Sequence, residues 1–182
     1  RTYPKHALEL GNPIPQEPGF FLKPSSSIIE FGQIETCDGD VHHEIELVLK
    51  IGDEGIPSHM ALGLDLTKRS VQDHLKSNGL PWAEAKAFSG SAVIGDWFEY
   101  DHRAEYSLEI NGKEVQRGSL KEMSWTPGEL IAKLATWAPI TKGDLLFTGT
   151  PAGVGPLMAN DTITASLYLE NKCIVAHTAQ CV

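Results

Sequence analysis

The sequence predicts a mixed β fold with short helices, of the α+β kind. Three observations carry this. Strand-like segments outnumber helical ones, and the turn dipeptides Asn111-Gly112 and Glu170-Asn171 each sit between a pair of them. Only three stretches read as helices, all short. Strands and helices do not alternate steadily, which argues against a doubly wound parallel sheet. The length of 182 residues suits one domain with a real core, and 41% apolar with 21% charged residues marks a globular chain. No repeat, low-complexity tract or internal linker is visible.

Residues 3–10, YPKHALEL, read as a short helix. Pro4 fits its first turn, Ala7, Leu8 and Leu10 favour it, and Gly11-Asn12-Pro13 stops it. Residues 12–27 form a loop with four prolines and three serines around the apolar patch Phe20–Leu22. Residues 43–51, HEIELVLKI, set Glu44 and Glu46 on one side and Ile45, Leu47 and Leu49 on the other, the period of a strand. Gly52-Asp53-Glu54-Gly55 turns the chain into a second apolar run at 59–66. Residues 67–77 read as a helix with Thr67 near its start, and 78–91 as a loop. Residues 104–118 form a hairpin about Asn111-Gly112, the preferred pair of a type I′ turn. Residues 127–136 are a helix with Pro127 near its first turn. A strand at 144–150 runs into the Gly/Pro-rich PAGVGP, and a last hairpin joins 161–169 to 172–179.

With 15 basic and 24 acidic side chains the net charge is −9. That argues against a nucleic acid, whose phosphates need a basic face, and against an anionic membrane surface. No apolar run approaches the ~20 residues of a membrane-spanning helix. Cys37, Cys173 and Cys181 are odd in number and lack CxxC spacing, which suggests neither a disulfide framework nor a zinc site and fits a reducing compartment. No signal-peptide pattern is visible in the residues from Arg1 onward. The expectation is a cytoplasmic protein, or one of the mitochondrial matrix if a transit segment was removed ahead of Arg1.

Five clusters bear on chemistry. Glu44-x-Glu46 places two carboxylates on one face of a strand, where like charges conflict unless a cation lies between them. Asp65 ends the next apolar run and supplies a third oxygen if the two runs pair. Carboxylates without thiols favour a hard cation, Mg²⁺ or Mn²⁺, over zinc. The ordinary alternative is a solvated acidic face on a half-exposed strand. His42 shares the parity of the two glutamates and is a candidate fourth ligand, or simply a polar residue where the strand starts. Second, His6-x-x-Glu9 sets a carboxylate beside an imidazole on one helix face, the geometry of an oriented general base, or else of two surface residues on a short helix. Third, Asp65, Arg69 and Gln72 share a stripe if the helix starts early, with Arg69 bracing a carboxylate and Gln72 donating to a substrate. A plain Asp–Arg surface pair fits the same spacing. Fourth, Lys86, four residues after Trp82, and Lys23, after Phe21-Leu22, can neutralise an anion if buried, or snorkel to the surface if not. Fifth, Thr148–Gly155 is Gly-rich after a strand but lacks Gly-Lys-Ser/Thr and a following helix. That excludes a P-loop and leaves a tight turn in which Thr150 offers a hydroxyl.

In order and spacing, His6-x-x-Glu9, Phe21-Leu-Lys23-Pro-Ser, Glu44-x-Glu46, Asp65-x-Thr67-x-Arg69-x-x-Gln72, Leu80-Pro-Trp-x-x-x-Lys86-x-Phe88, Asn111-Gly112 and Thr148-Gly-Thr-Pro-x-Gly-Val-Gly155 together resemble the fumarylacetoacetate hydrolase family. The resemblance runs from Tyr3 to about Ala165 and is nearest to the small acylpyruvate hydrolase and oxaloacetate decarboxylase branch. It implies a mixed β-sandwich roll, a single catalytic domain over 1–182, and a homodimer. It implies Mg²⁺ or Mn²⁺ on Glu44, Glu46 and Asp65, and a lid helix at 3–10 bearing the dyad of His6 and Glu9, with a strand expected upstream of Arg1. Lys86 becomes a catalytic position, and Lys23, Arg69, Gln72 and Thr150 substrate-binding ones. The implied reaction is metal-dependent hydrolysis of a carbon–carbon bond in an acylpyruvate, giving pyruvate and a carboxylic acid, with decarboxylation of oxaloacetate as a further activity. The alternatives are oxaloacetate keto–enol tautomerisation, isomerisation or decarboxylation of a dienoate in aromatic catabolism, and non-catalytic binding of a 2-oxo acid. Trp82, Phe88 and Trp125 are candidate walls of the pocket.

Overall fold

A computed structural model describes residues 2–9, 11, 13 and 15–182. In chain order the described elements are α1 (Pro4–Glu9), β1 (Ile28–Ile29), β2 (Gln33–Ile34), β3 (Val41–His43), β4 (Ile45–Ile51), β5 (Pro57–Asp65), β6 (Thr67–Lys68), α2 (Arg69–Ser77) and α3 (Ala83–Lys86). Then follow β7 (Ala92–Ile94), β8 (Phe98–Glu99), β9 (Glu105–Ile110), β10 (Lys113–Ser119), α4 (Pro127–Leu134), β11 (Leu145–Phe147), β12 (Gly155–Pro156), β13 (Thr162–Leu169) and β14 (Lys172–Cys181).

One sheet runs β1-β7-β5-β4-β11, with β8 also on β5; a second runs β10-β9-β13-β14-β2; a small third runs β12-β3-β6. The β1–β7 and β14–β2 pairs are parallel and the other pairs antiparallel, so the sheets are mixed as expected. Ile45, Leu47 and Leu49 of β4 and Leu62 and Leu64 of β5 belong to one core with Tyr106 and Leu108 of β9 and Ile163, Ala165 and Leu167 of β13. Each fully buried leucine there contributes about 1.5–3 kcal/mol. Because side chains alternate, Glu46 and Val48 of β4 and Ala61, Gly63 and Asp65 of β5 point to the opposite face. Val48, Ala61 and Ile94 form a second apolar cluster there. The acid-out, apolar-in strand expected at 43–51 is therefore central and buried on both faces, and the alternative of a solvated acidic edge falls away.

The turn chemistry behaves as the residues dictate. Asn111 and Gly112 take φ 53° and 76°, and Glu170 and Asn171 take φ 50° and 64°, left-handed pairs that match the twist of their hairpins. A capping box holds the start of α4: Glu129 N–H donates to the Thr126 hydroxyl, and Thr126 N–H donates to the Glu129 carboxylate. Three expectations need correction. The helix read from 67 begins at Arg69, because Thr67 pairs with His42 in the small third sheet. The loop read at 78–91 contains α3, so there are four helices among the described residues rather than three. The helix read at 3–10 is described over Pro4–Glu9, and Leu10 lies outside the described residues.

Candidate active site

The runs at 43–51 and 59–66 do pair, with Glu46 opposite Gly63 and Asp65 N–H donating to Glu44 O at 2.9 Å. Glu46 and Asp65 thus stand on one face of neighbouring central strands, and Glu44 sits at the junction of β3 and β4. One oxygen from each lies within 4.8 Å of the others. The three residues are 6%, 3% and 1% exposed. Burial, with Asp65 and Glu44 beside it, pushes the Glu46 carboxyl well above the usual carboxylate range, against a Gly149 N–H donated to its Oε2 at 2.6 Å. Asp65 Oδ1 is a buried oxygen with the Lys23 ammonium against it at 2.8 Å as an ion pair and no other hydrogen-bond partner among the described residues. Three hard, buried oxygen donors, one with an uncommitted lone pair, fit Mg²⁺ or Mn²⁺. His42 lines the same cavity but stands outside this trio.

Three cations face the three carboxylates. Lys86, at the end of α3 and 2% exposed, donates to Glu44 Oε2 (2.8 Å), Asp65 Oδ2 (2.7 Å) and Thr67 Oγ1 (2.6 Å). Burial alone would lower its pKa, but Asp65 and Glu44 outweigh burial and hold the ammonium above its ordinary value. Lys23 donates to the carbonyls of Lys86 and Ser91 as well as pairing with Asp65. Neither lysine snorkels. Arg69 Nη2 donates to Glu44 Oε1 and Nη1 to Gln72 Oε1, both at 2.6 Å. The expected stripe of Asp65, Arg69 and Gln72 on one helix is corrected: Asp65 is in β5, so Arg69 braces Glu44 instead. With its oxygen engaged by Arg69, Gln72 keeps its amide N–H groups to donate into the cavity. Against burial, Lys86 and Arg69 hold the Glu44 carboxyl well below the usual range.

α1 borders this cluster, with Thr2, His6 and Glu9 lining the same cavity. Thr2 Oγ1 donates to Thr148 O (2.6 Å), Ser124 N–H donates to Thr2 O (2.8 Å), and the Tyr3 hydroxyl meets that of Tyr106 in the core (2.5 Å). His6 is 5% exposed, and burial lowers its pKa below 6.5 although Glu9 opposes this. Glu9 Oε2 lies 3.1 Å from His6 Nδ1, and Glu9 Oε1 accepts Gly153 N–H at 2.9 Å. One carboxylate therefore orients the imidazole and fastens α1 to the Gly-rich turn. Gly153 takes φ 103°, and a Cβ there would lie 1.9 Å from Val115 O. Gly153→Ala should cost about 1–3 kcal/mol and loosen α1 from the Gly-rich turn, read as faster proteolysis within 4–9 than in wild type. Equal stability and equal cleavage would contradict the fastening.

All ten residues singled out, His6, Glu9, Lys23, Glu44, Glu46, Asp65, Arg69, Gln72, Lys86 and Thr150, line one cavity of ≈ 1130 Å³. Trp82 lines it too, with Phe21 6.2 Å from its ring and 5.0 Å from Lys86 Nζ. Phe88 and Trp125 pack against the core instead, which corrects their expected place in the wall. Gln116 went unread. It lies in a hairpin strand of exposed character, and a register shift between Glu114 and Gln116 turns it inward.

The family model for the fumarylacetoacetate (FAA) hydrolase C-terminal region matches residues 1–179. The chain belongs to the fumarylacetoacetate hydrolase family. Within that family it is 36% identical over 184 residues to an oxaloacetate tautomerase of Escherichia coli (strain K12), covering 91% of this chain and 84% of that one. It is 34% identical over 186 residues to a mitochondrial oxaloacetate decarboxylase of Dictyostelium discoideum, covering 92% and 85%. Its fold matches a fumarylpyruvate hydrolase from Pseudomonas aeruginosa, solved in complex with Mn²⁺ and pyruvate, with a TM-score of 0.89 and 29% identity over all of this chain and 86% of that one. The expected mixed β architecture is thus the fumarylacetoacetate hydrolase fold, and the family is one of enzymes acting on oxaloacetate and acylpyruvate-type acids.

Proposed function

We propose that the protein is a divalent-metal-dependent enzyme of small 2-oxo acids, with keto–enol interconversion of oxaloacetate as its reaction. The observation that carries this is the buried trio of Glu44, Glu46 and Asp65 matched by Lys86, Lys23 and Arg69. Equal numbers of fixed charges of each sign leave a bound Mg²⁺ or Mn²⁺ with its full charge for a dianion, so the chain's excess of acid is no obstacle to an acidic substrate. When bound, the metal supplies Lewis-acid polarisation of the 2-oxo carbonyl. The chain's own groups do the rest. Lys86, its three N–H groups given to Glu44, Asp65 and Thr67, stays charged and sets a fixed positive charge beside the place where enolate charge develops. Glu9 takes the Nδ1 side of His6, so Nε2 presents its lone pair to the cavity and can move a proton. Gln72 and Thr150 offer donors to substrate oxygens. The lid excludes bulk water. Homodimeric assembly, in the cytoplasm or the mitochondrial matrix, belongs to the same proposal.

Tautomerisation stands ahead of carbon–carbon hydrolysis because it needs only enolate stabilisation and proton transfer, and because the similar Escherichia coli protein is an oxaloacetate tautomerase. Hydrolysis of an acylpyruvate is the second reading, favoured by the oriented His6–Glu9 dyad, which is able to deprotonate a water. Metal-loaded protein given oxaloacetate and acetylpyruvate separates them. The proposal expects enol absorbance to relax without pyruvate or CO₂; pyruvate from acetylpyruvate at the higher kcat/KM would establish the second reading, and no turnover of either would overturn both.

His6 adds a pH test. Its folded pKa is lowered, so below 6.5 the unfolded chain takes up a proton that the folded chain resists, and stability is lost as pH falls from 6.5 toward the lowered value. His6→Gln should therefore lose less stability than wild type between neutral pH and about pH 5 in urea titrations. It should also lower kcat/KM and take away the acid limb that protonation of His6 produces. Parallel stability profiles would contradict the buried, neutral His6.

A further inference from the structure

Gln116 is 1% exposed and makes four hydrogen bonds around the site. Its Oε1 lies 3.1 Å from Ile45 N, which can only donate, and 2.8 Å from His43 Nδ1. Its Nε2 lies 2.9 Å from Pro151 O, which can only accept, and 2.8 Å from Thr150 Oγ1. Two backbone groups of opposite polarity thus fix the amide in one orientation; a flipped amide would set N–H against N–H and oxygen against oxygen.

That orientation reaches Thr150. Because Nε2 donates to its hydroxyl, the Thr150 oxygen is an acceptor on that side, and its proton is left to donate elsewhere. Thr150 is 4% exposed and lines the cavity with the carboxylate trio. We propose that Gln116 is a positioning residue that turns the Thr150 O–H outward as an obligatory donor to an anionic oxygen of the substrate. The structure thereby makes the Ile45 N–H and the Pro151 carbonyl the ultimate determinants of a substrate contact. The inference rests on the reading of this cavity as a 2-oxo acid site.

The variants separate polarity from packing. Gln116→Glu keeps an acceptor for Ile45 N–H and His43 but sets an oxygen against Thr150, drawing the hydroxyl proton back from the ligand. Thr150→Val keeps the shape and removes the hydroxyl, and Thr150→Ser keeps the hydroxyl. The probe is oxalate, titrated calorimetrically into Mg²⁺-loaded protein, alongside KM and kcat for oxaloacetate. Gln116→Glu and Thr150→Val should each weaken oxalate and raise KM about tenfold, with kcat changed far less, and Thr150→Ser should recover most of the loss seen in Thr150→Val. The double variant Gln116→Glu/Thr150→Val should be no worse than Thr150→Val alone, since both remove one donor. If Gln116→Glu does not fold, Gln116→Met takes its place in the same cycle, with the same non-additive result expected. Independently, nitrogen-15 shifts should place the His43 proton on Nδ1. Additive effects, equal oxalate affinity in wild type and Thr150→Val, or a His43 proton on Nε2 would each overturn the role of Gln116 alone. A wild type that binds no oxalate with metal loaded would overturn the 2-oxo acid reading, and this inference with it.

Discussion

Lys86→Met should lower the stability of the metal-free protein by about 3–5 kcal/mol, the cost of stripping one partner from a buried ionic cluster. The Lys86 side chain is 3% exposed and bridges Glu44 and Asp65 at 2.8 and 2.7 Å. Methionine fills much of its volume, so the loss reports charge more than packing. The two carboxylate oxygens it leaves behind are buried and lose the ammonium that offsets their charge. A divalent cation restores part of the missing charge, so added Mg²⁺ should narrow the gap between variant and wild type in urea melts. Activity at saturating metal should fall by about 10²–10³-fold, the scale on which one preorganised charge-stabilising group contributes. Unchanged stability in the absence of metal would contradict the bridge.

Glu46→Gln should do the reverse to stability. Glu46 adds a third like charge to a buried face, and Gly149 N–H can donate to a glutamine oxygen as well as to a carboxylate. The metal-free variant should be as stable as wild type or more so. Its affinity for Mg²⁺ or Mn²⁺ should drop by at least about hundredfold, since even groups that only support metal ligands contribute 10–100-fold. Titration of Mn²⁺ followed by paramagnetic relaxation measures this directly. A metal-free Glu46→Gln that is markedly destabilised, or one that binds Mn²⁺ as tightly as wild type, would remove Glu46 from the metal set.

These opposite signs come from features that differ in how legible they are. The Glu44-x-Glu46 alternation and the apolar run ending at Asp65 are local, and period-2 geometry suffices to place their carboxylates on one face once the two strands pair. The Asn111-Gly112 turn is equally local, because only residues tolerant of positive φ fit it. The partner of Arg69 is not local. Spacing offered Asp65, but the chain stays extended through Thr67, so the guanidinium reaches Glu44 across the sheet. The four-residue helix that ends at Lys86 is too short to show a period, although Ala83, Glu84 and Ala85 all favour helix. Gln116 left no trace, since a register shift decides which way it faces and no residue type announces one. The burial of both lysines was open in the sequence for the same reason: a lysine stem suits either surface or core, and only the carboxylates around it settle which. The resemblance of the motifs bridged these gaps, because it relates residues distant in sequence that no local rule connects.

The most direct test of the central claim follows hydrogen exchange at C3 of oxaloacetate in D₂O by proton NMR, with Mg²⁺ at one fixed concentration. Keto–enol interconversion predicts deuterium entering C3 faster with the protein than with Mg²⁺ alone, with no pyruvate formed at a matching rate and with the acceleration lost in Glu46→Gln. Exchange at the rate of Mg²⁺ alone, or pyruvate appearing as fast as deuterium, would contradict it.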